Sequence, residues 1–118
     1  MQTKNELGRW GEELAEKYFC ERGYQIIERN FRHSRNEIDL VAVKNSKLHF
    51  IEVKTRRTKR YGLPEEAVDE IKIGSLLKVG EAFLYKHPGY KKVQFDVLAI
   101  CMLPNEEIEY FLIEDVYS

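Results

Sequence analysis

Four ionisable residues, Glu37, Asp39, Glu52 and Lys54, lie inside EIDLVAVKNSKLHFIEVK, residues 37–54, a stretch whose pattern otherwise describes two strands joined by a tight turn. Two carboxylates and a lysine on one patch could hold a hard divalent cation and manage charge during phosphodiester hydrolysis. Whether they meet depends on register. Side chains alternate along a strand, so Glu37 and Asp39 share one face, as do Glu52 and Lys54. If Asn45 and Ser46 form a two-residue loop, or the loop widens symmetrically to Lys44 and Lys47, Asp39 stands opposite Glu52 and Glu37 opposite Lys54. An asymmetric loop would shift this pairing.

The plain alternative is a solvated hairpin face with a Glu37/Lys54 cross-strand pair. Two features oppose it. The charged face also carries Val41, Val43, Leu48 and Phe50, while Ile38, Leu40, Ala42, Ile51 and Val53 with His49 make the other, so both faces look covered near the turn. Like charges directly opposite each other also cost up to about 1 kcal/mol, which a cation between Asp39 and Glu52 would offset. Oxygen donors of this kind suit Mg²⁺, which keeps several waters and often takes only one or two carboxylates. Lys54 could hold a water or stabilise developing phosphoryl charge.

The elements that must carry this hairpin are legible as periodicities. Residues from Asn5 to Arg22 have helical spacing, with Leu7, Trp10, Leu14 and Tyr18 on one stripe and Gly23 placed as the stop. Gly8, Gly11 and Ala15 form an adjoining strip that lets the helix lie close to a sheet. Glu12 falls at its edge, whereas Glu16 and especially Glu13 point further away, so Glu12 is the acid expected to face the sheet. YQIIERNF, residues 24–31, reads as the first strand. After the hairpin, YGLPEEAV is an irregular connection, and Asp69 can N-cap a second helix running to Lys86 and closed by His87, Pro88 and Gly89. That helix is apolar on several sides, so it is either deeply covered or partly an association surface. Residues 93–103 read as a buried strand, PNEE as a turn and IEYFLIEDV as a last strand. The order is α-β-β-β-α-β-β.

The 118 residues fit one domain, with 43 % hydrophobic and 33 % charged residues, an ordinary globular composition. No apolar run approaches a spanning helix, and MQTKNELGRWGEE has no apolar signal core, so a cytoplasmic protein without a membrane partner is expected. Cys20 and Cys101 stand far apart and outside any Cys/His cluster, which gives zinc no support and makes buried free thiols the expectation. His33, His49 and His87 are isolated in the same way. The net charge of −1 is unevenly spread: residues 1–62 hold fourteen Lys and Arg against nine Asp and Glu, and residues 63–118 hold five against eleven. The positive charge concentrates in RNFRHSR and KTRRTKR, which bracket the acidic hairpin as a phosphate-binding surface would require.

Taken together, GRWGEELA, EIDLVAV, FIEVKTR, GLPEEAV and QFDVLAI, from Gly8 to Ile100, resemble the small bacterial YraN-like proteins. That family is similar to the archaeal Holliday-junction resolvases of the PD-(D/E)XK nuclease superfamily. The resemblance implies a mixed central β-sheet flanked by helices on both faces, a restriction-endonuclease-like α/β fold, and a homodimer acting on branched DNA. It implies that Asp39 is the first metal-binding acid, that Glu52 and Lys54 are the E-x-K pair, and that Glu12 is the helix acid. Glu37 and Asp96 also match family positions, beside simpler roles as a Lys54 partner and a buried, hydrogen-bonded carboxylate. Asn36 stands where the motif usually has glycine, and the second helix, typically rich in Lys and Arg, offers Lys72, Lys78 and Lys86.

The leading expectation is therefore a Mg²⁺- or Mn²⁺-dependent endonuclease acting on structured DNA. Asp39, Glu52 and the Val53 carbonyl would hold metal with Glu12 assisting, and Lys54 would position the attacking water. Arg32, Arg35, Arg56, Arg57, Lys59 and Arg60 would meet phosphates. The alternatives are a nucleic-acid-binding module on the same fold without turnover, and a protein-interaction scaffold built on the second helix.

Overall fold

Thr3 opens the first helix, α1 (Lys4–Glu21), its hydroxyl accepting the Glu6 N–H at 3.1 Å. The helix stops at Gly23, where φ is +86°. There the Gly23 N–H reaches the Cys20 carbonyl at 3.2 Å and the Tyr24 N–H the Phe19 carbonyl at 3.0 Å. These two bonds make a Schellman cap, sealed by the Phe19 and Tyr24 rings edge to face at 4.9 Å. The stop expected at Gly23 is present.

In the computed structural model, which describes residues 3–63 and 73–116, α1 is followed by β1 (Gln25–His33), β2 (Asn36–Lys44), β3 (Lys47–Arg57), α2 (Ile73–Lys86), β4 (Val93–Met102) and β5 (Ile108–Ile113). The expected order is found, with β1 running two residues further than the pattern suggested and β5 ending earlier. The PEEAV segment and the Asp69 cap lie outside the described residues. The strands form one mixed sheet in the order β1-β2-β3-β4-β5; β3 and β4 are parallel and the other pairs antiparallel. A parallel pair needs a crossover, and α2 lies within it.

Each helix covers one face. Ala15 and Phe19 of α1 pack with Leu40, Ala42, Ile51, Leu98 and Ile100. On the other side Leu76, Val79 and Phe83 of α2 pack with Ile38, Val41, Leu48 and Phe50. Both helices press onto the sheet at a glycine: a methyl on Gly11 would run into Thr55 Oγ1, and one on Gly80 would lie 2.8 Å from Phe95 Cζ. Gly80, which breaks the helical pattern in sequence, is thus explained by close approach. Coverage of α2 is incomplete, because Leu77 remains 40 % exposed and Tyr85 89 %. Among the described residues no helix is long and apolar enough to cross a membrane.

Candidate active site

The hairpin turn is as expected, with φ of +52° at Asn45 and +63° at Ser46. Pairing runs from Lys44/Lys47 back to Leu40/Ile51, in the anticipated register. It stops there, one step short of Asp39 and Glu52. Instead of sharing a rung with Glu52, Asp39 turns its carboxylate to the backbone N–H of Val53, which donates at 2.7 Å.

Side-chain alternation also breaks at Asp39. Ile38 joins Val41 in the cluster under α2, whereas Leu40 and Ala42 face α1. Strict alternation, which put Ile38 with Leu40 and Ala42, fails because Asp39 is a kink. The partner strand kinks with it. Between the Arg29/Leu40 and Phe31/Ile38 pairs stands Asn30, at φ +50°, a conformation asparagine tolerates.

With Ile38 under α2, Glu37 falls on the α1 side. The Asn30 side-chain amide donates to Glu37 Oε1 at 2.6 Å and to Glu12 Oε1 at 3.0 Å, tying an acid of β2 to the acid of α1. Arg32 completes the Glu37 environment at 3.1 Å. This corrects the expected Glu37/Lys54 pairing: Lys54 Nζ lies 3.0 Å from Glu52 Oε1. Glu12 does face the sheet, but so does Glu16, whose carboxylate accepts from Arg29 Nε at 2.9 Å and is held below its ordinary pKa by that guanidinium. The 100° projection missed this because Arg29 reaches up from β1 to meet it.

The electrostatics converge on Asp39. Burial pushes its pKa from 3.8 up to about 7; the Val53 N–H acts in the opposite sense, and the fields of Glu12, Glu52 and Glu37 add to the rise. Asp39 therefore senses two of the other three proposed catalytic groups, Glu12 and Glu52, at the sheet end where β2 leaves β3. Lys54 stands beside Glu52.

A cleft of about 630 Å³ opens between the first turns of α1 and the end of β3, lined by Lys4, Leu7, Gly8, Glu12 and residues 53–57. Gly8 does not touch the sheet as the small-residue strip implied; a methyl there would meet nothing within 4 Å, and its smallness leaves the cleft open. Arg56 and Arg57 line this cleft from β3. Lys59 and Arg60 are exposed just beyond it, and Arg32 and Arg35 are exposed at the β1–β2 turn. Sequence reasoning missed Lys4 and Asn30. Lys4 is one helical turn before Gly8, a spacing that could have found it, and Asn30 is a β-disfavoured residue in mid-strand.

The donors fit a hard cation. Asp39, Glu52 and the Val53 carbonyl offer oxygen donors, a cation would relieve the field of the neighbouring acids on Asp39, and the cleft admits water. Among the described residues no three His, Cys, Asp or Glu side chains converge as a closed ligand set, so water would complete the shell.

Asp96 belongs elsewhere. It is 1 % exposed, accepts from Gln94 Nε2 at 2.7 Å and the Asp115 N–H at 2.9 Å, and pairs with His49 Nδ1 at 2.8 Å. It has the structural role anticipated for a buried carboxylate, and His49 packs against Tyr24. Cys101 is buried as expected, whereas Cys20 is exposed.

Residues 11–100 match the Uncharacterised protein family UPF0102. The chain belongs to this family. A UPF0102 protein of Syntrophomonas wolfei is 49 % identical over 96 residues, covering 80 % of this chain and 84 % of the relative. One from Dictyoglomus thermophilum is 38 % identical over 107 residues, 90 % of this chain and 91 % of the relative. A third, from Caldicellulosiruptor saccharolyticus, is 36 % identical over 117 residues, 98 % and 99 % of the two chains. UPF0102 membership and the mixed five-stranded sheet agree with the resemblance to the PD-(D/E)XK nuclease group, and the matched span contains Glu12, Asp39, Glu52 and Lys54.

Proposed function

We propose that this UPF0102 protein is a metal-dependent endonuclease that hydrolyses phosphodiester bonds in structured or branched DNA. The observation that carries the reading is the part-buried Asp39 carboxylate, held by the Val53 N–H at 2.7 Å and raised to about 7 by lost solvation and by Glu12, Glu52 and Glu37, with Lys54 3.0 Å from Glu52. Asp39, Glu52 and the Val53 carbonyl would hold Mg²⁺ or Mn²⁺, with Glu12 assisting, and the ion would supply Lewis-acid stabilisation of phosphoryl charge. Lys54 orients the attacking water from its place beside Glu52. Asn30 keeps Glu12 and Glu37 at fixed distances, so the acids do not need to reorganise when a phosphate arrives. Arg56 and Arg57 inside the cleft, and Arg32, Arg35, Lys59 and Arg60 around it, would take phosphates of the flanking strand. By its resemblance to resolvases the proposal extends to a homodimer, which sedimentation would test.

A module that binds nucleic acid without cleaving it is the second reading. It is favoured by the resting pairings, since Glu52 already has Lys54 and Asp39 already has the Val53 N–H. Incubation of the protein with four-way, flap and linear DNA plus Mg²⁺ or Mn²⁺ separates the two. The endonuclease reading expects cleavage that Glu52→Ala and Lys54→Ala each abolish while binding persists. Cleavage unaffected by both substitutions would overturn the catalytic assignment, and binding without cleavage would establish the second reading.

A further inference from the structure

The outward face of α2 presents Tyr85, 89 % exposed, although the same helix buries Phe83 two residues earlier. Among the described residues the Tyr85 ring stacks on no other aromatic group. It stands at a recess of about 380 Å³ between α2 and the β1–β2 turn, lined by His33, Lys78, Glu81, Ala82, Tyr85 and Lys86. Two lysines and a histidine face one acid there. Lys86 is positioned by the Phe31 ring, with its Nζ 5.6 Å from the centroid, and Arg32 and Arg35 flank His33 in the same turn.

An exposed ring at the rim of a cationic recess matches one ligand chemistry well: a nucleobase, which offers a π-face, linked to phosphates, which meet the ammonium groups. A protein partner would require a broader apolar patch, yet among the described residues of α2 the large exposed hydrophobic side chains are Leu77 and Tyr85. A base inside a duplex already has its faces covered, so a lone tyrosine can engage only an unpaired one. The recess opens at the β1–β2 turn, where His33 pairs with Asn36 at the start of the strand that carries Asp39, on the α2 face of the sheet and across it from the α1–β3 cleft.

We propose that Tyr85 is a stacking platform for an unpaired base of a strand that crosses the α2 face, with Lys78, Lys86 and His33 taking the adjoining phosphates. The nucleic acids it binds would then carry a single-stranded segment. This rests on the nucleic-acid reading of the site, although not on catalysis.

The test is fluorescence anisotropy in EDTA, so that no hydrolysis intervenes, with a labelled oligothymidine, a blunt duplex and the same duplex bearing a single-stranded tail. Wild type is expected to bind the tailed duplex more tightly than the blunt one. Tyr85→Ala should lose about 5- to 100-fold on the oligothymidine and tail, keep its blunt-duplex affinity and melt like wild type. Tyr85→Trp should restore the loss. Equal tail binding by wild type and Tyr85→Ala, or an equal loss on blunt duplex, would overturn the platform and leave the proposed function standing. If Tyr85→Ala instead dissociates an oligomer seen in sedimentation without nucleic acid, the face joins copies of the chain and the platform is wrong. If wild type binds none of the three oligonucleotides, the nucleic-acid reading itself fails.

Discussion

The backbone N–H of Val53 donates to the Asp39 carboxylate at 2.7 Å, one step beyond the last rung of the β2/β3 ladder, Leu40/Ile51. A side chain closes the sheet where a main-chain bond would otherwise stand. The two strands separate there, and the carboxylate is drawn into the gap among three other acids. The bond therefore builds the site, while lost solvation and the neighbouring acids strain it.

That strain has a pH signature. Asp39 has a pKa of 3.8 as an ordinary carboxyl and about 7 in the fold. Between those values the folded state binds the extra proton, so stability is fully present below about 4 and falls as pH rises through 7. The full effect is at most roughly 4 kcal/mol. Asp39→Asn keeps an acceptor for the Val53 N–H and removes the charge. In urea denaturation of metal-free protein it should be more stable than wild type at pH 8, with the gap closing toward pH 4. A gap of equal size at both pH values would count against a buried charge as its cause.

Metal should reverse the same penalty. A ligand bound only by the folded state stabilises it by about 2.7 kcal/mol at a hundred times its Kd, and protons compete for a carboxylate ligand. Mg²⁺ or Mn²⁺ should raise the melting temperature of wild type more at pH 8 than at pH 5.5, and should have little effect on Asp39→Asn or Glu52→Gln. No shift in wild type at either pH would mean that Asp39 and Glu52 do not share a cation.

The order of elements and the hairpin register were legible because both follow from local rules. Asn45 and Ser46 specify a tight turn, and the turn sets each pair up to Leu40/Ile51. What strict alternation could not supply was the kink at Asn30 and Asp39, because it arises from two strands distorting together. For the same reason strict alternation places Glu37 opposite Lys54, whereas its partners are Arg32 and Asn30. Glu12 was legible from the helix and Glu16 was not, since the long reach of Arg29 appears in no periodicity.

The two helix glycines Gly8 and Gly11, which look alike in sequence, should respond differently. Gly11→Ala places a methyl against Thr55 in the α1–β3 contact and should destabilise the fold by about 1 to 3 kcal/mol. Gly8→Ala meets nothing within 4 Å and should gain about 1 kcal/mol from helix propensity. Chemical denaturation reads both. Gly8→Trp should leave folding intact while filling the cleft, so its loss should appear in DNA binding alone.

Asp96 supplies a contrasting control. Its carboxylate satisfies His49, Gln94 and the Asp115 N–H in a buried network. Asp96→Ala leaves those donors unmatched and should cost about 3 kcal/mol or more. Below its melting temperature the variant should bind DNA as wild type does, because the charges acting on Asp39 come from Glu12, Glu52 and Glu37. A selective loss of binding in folded Asp96→Ala would place this network within the site.

The arginines can be ranked by their place relative to the cleft. Arg56 and Arg57 line the cleft that also holds Glu12 and Lys54, whereas Arg32 stands outside it at the β1–β2 turn, 3.1 Å from Glu37. An arginine that meets a duplex phosphate releases about 0.9 of a counterion, so removing it should flatten the plot of log affinity against log salt by about that much. Arg57→Gln is expected to show this reduction on duplex DNA. Arg32→Gln should change the slope less, because the substitution removes a cation and frees Glu37 at the same time. Equal slopes for wild type and Arg57→Gln would move the phosphate track out of the α1–β3 cleft, and with it the path by which a scissile bond reaches Asp39.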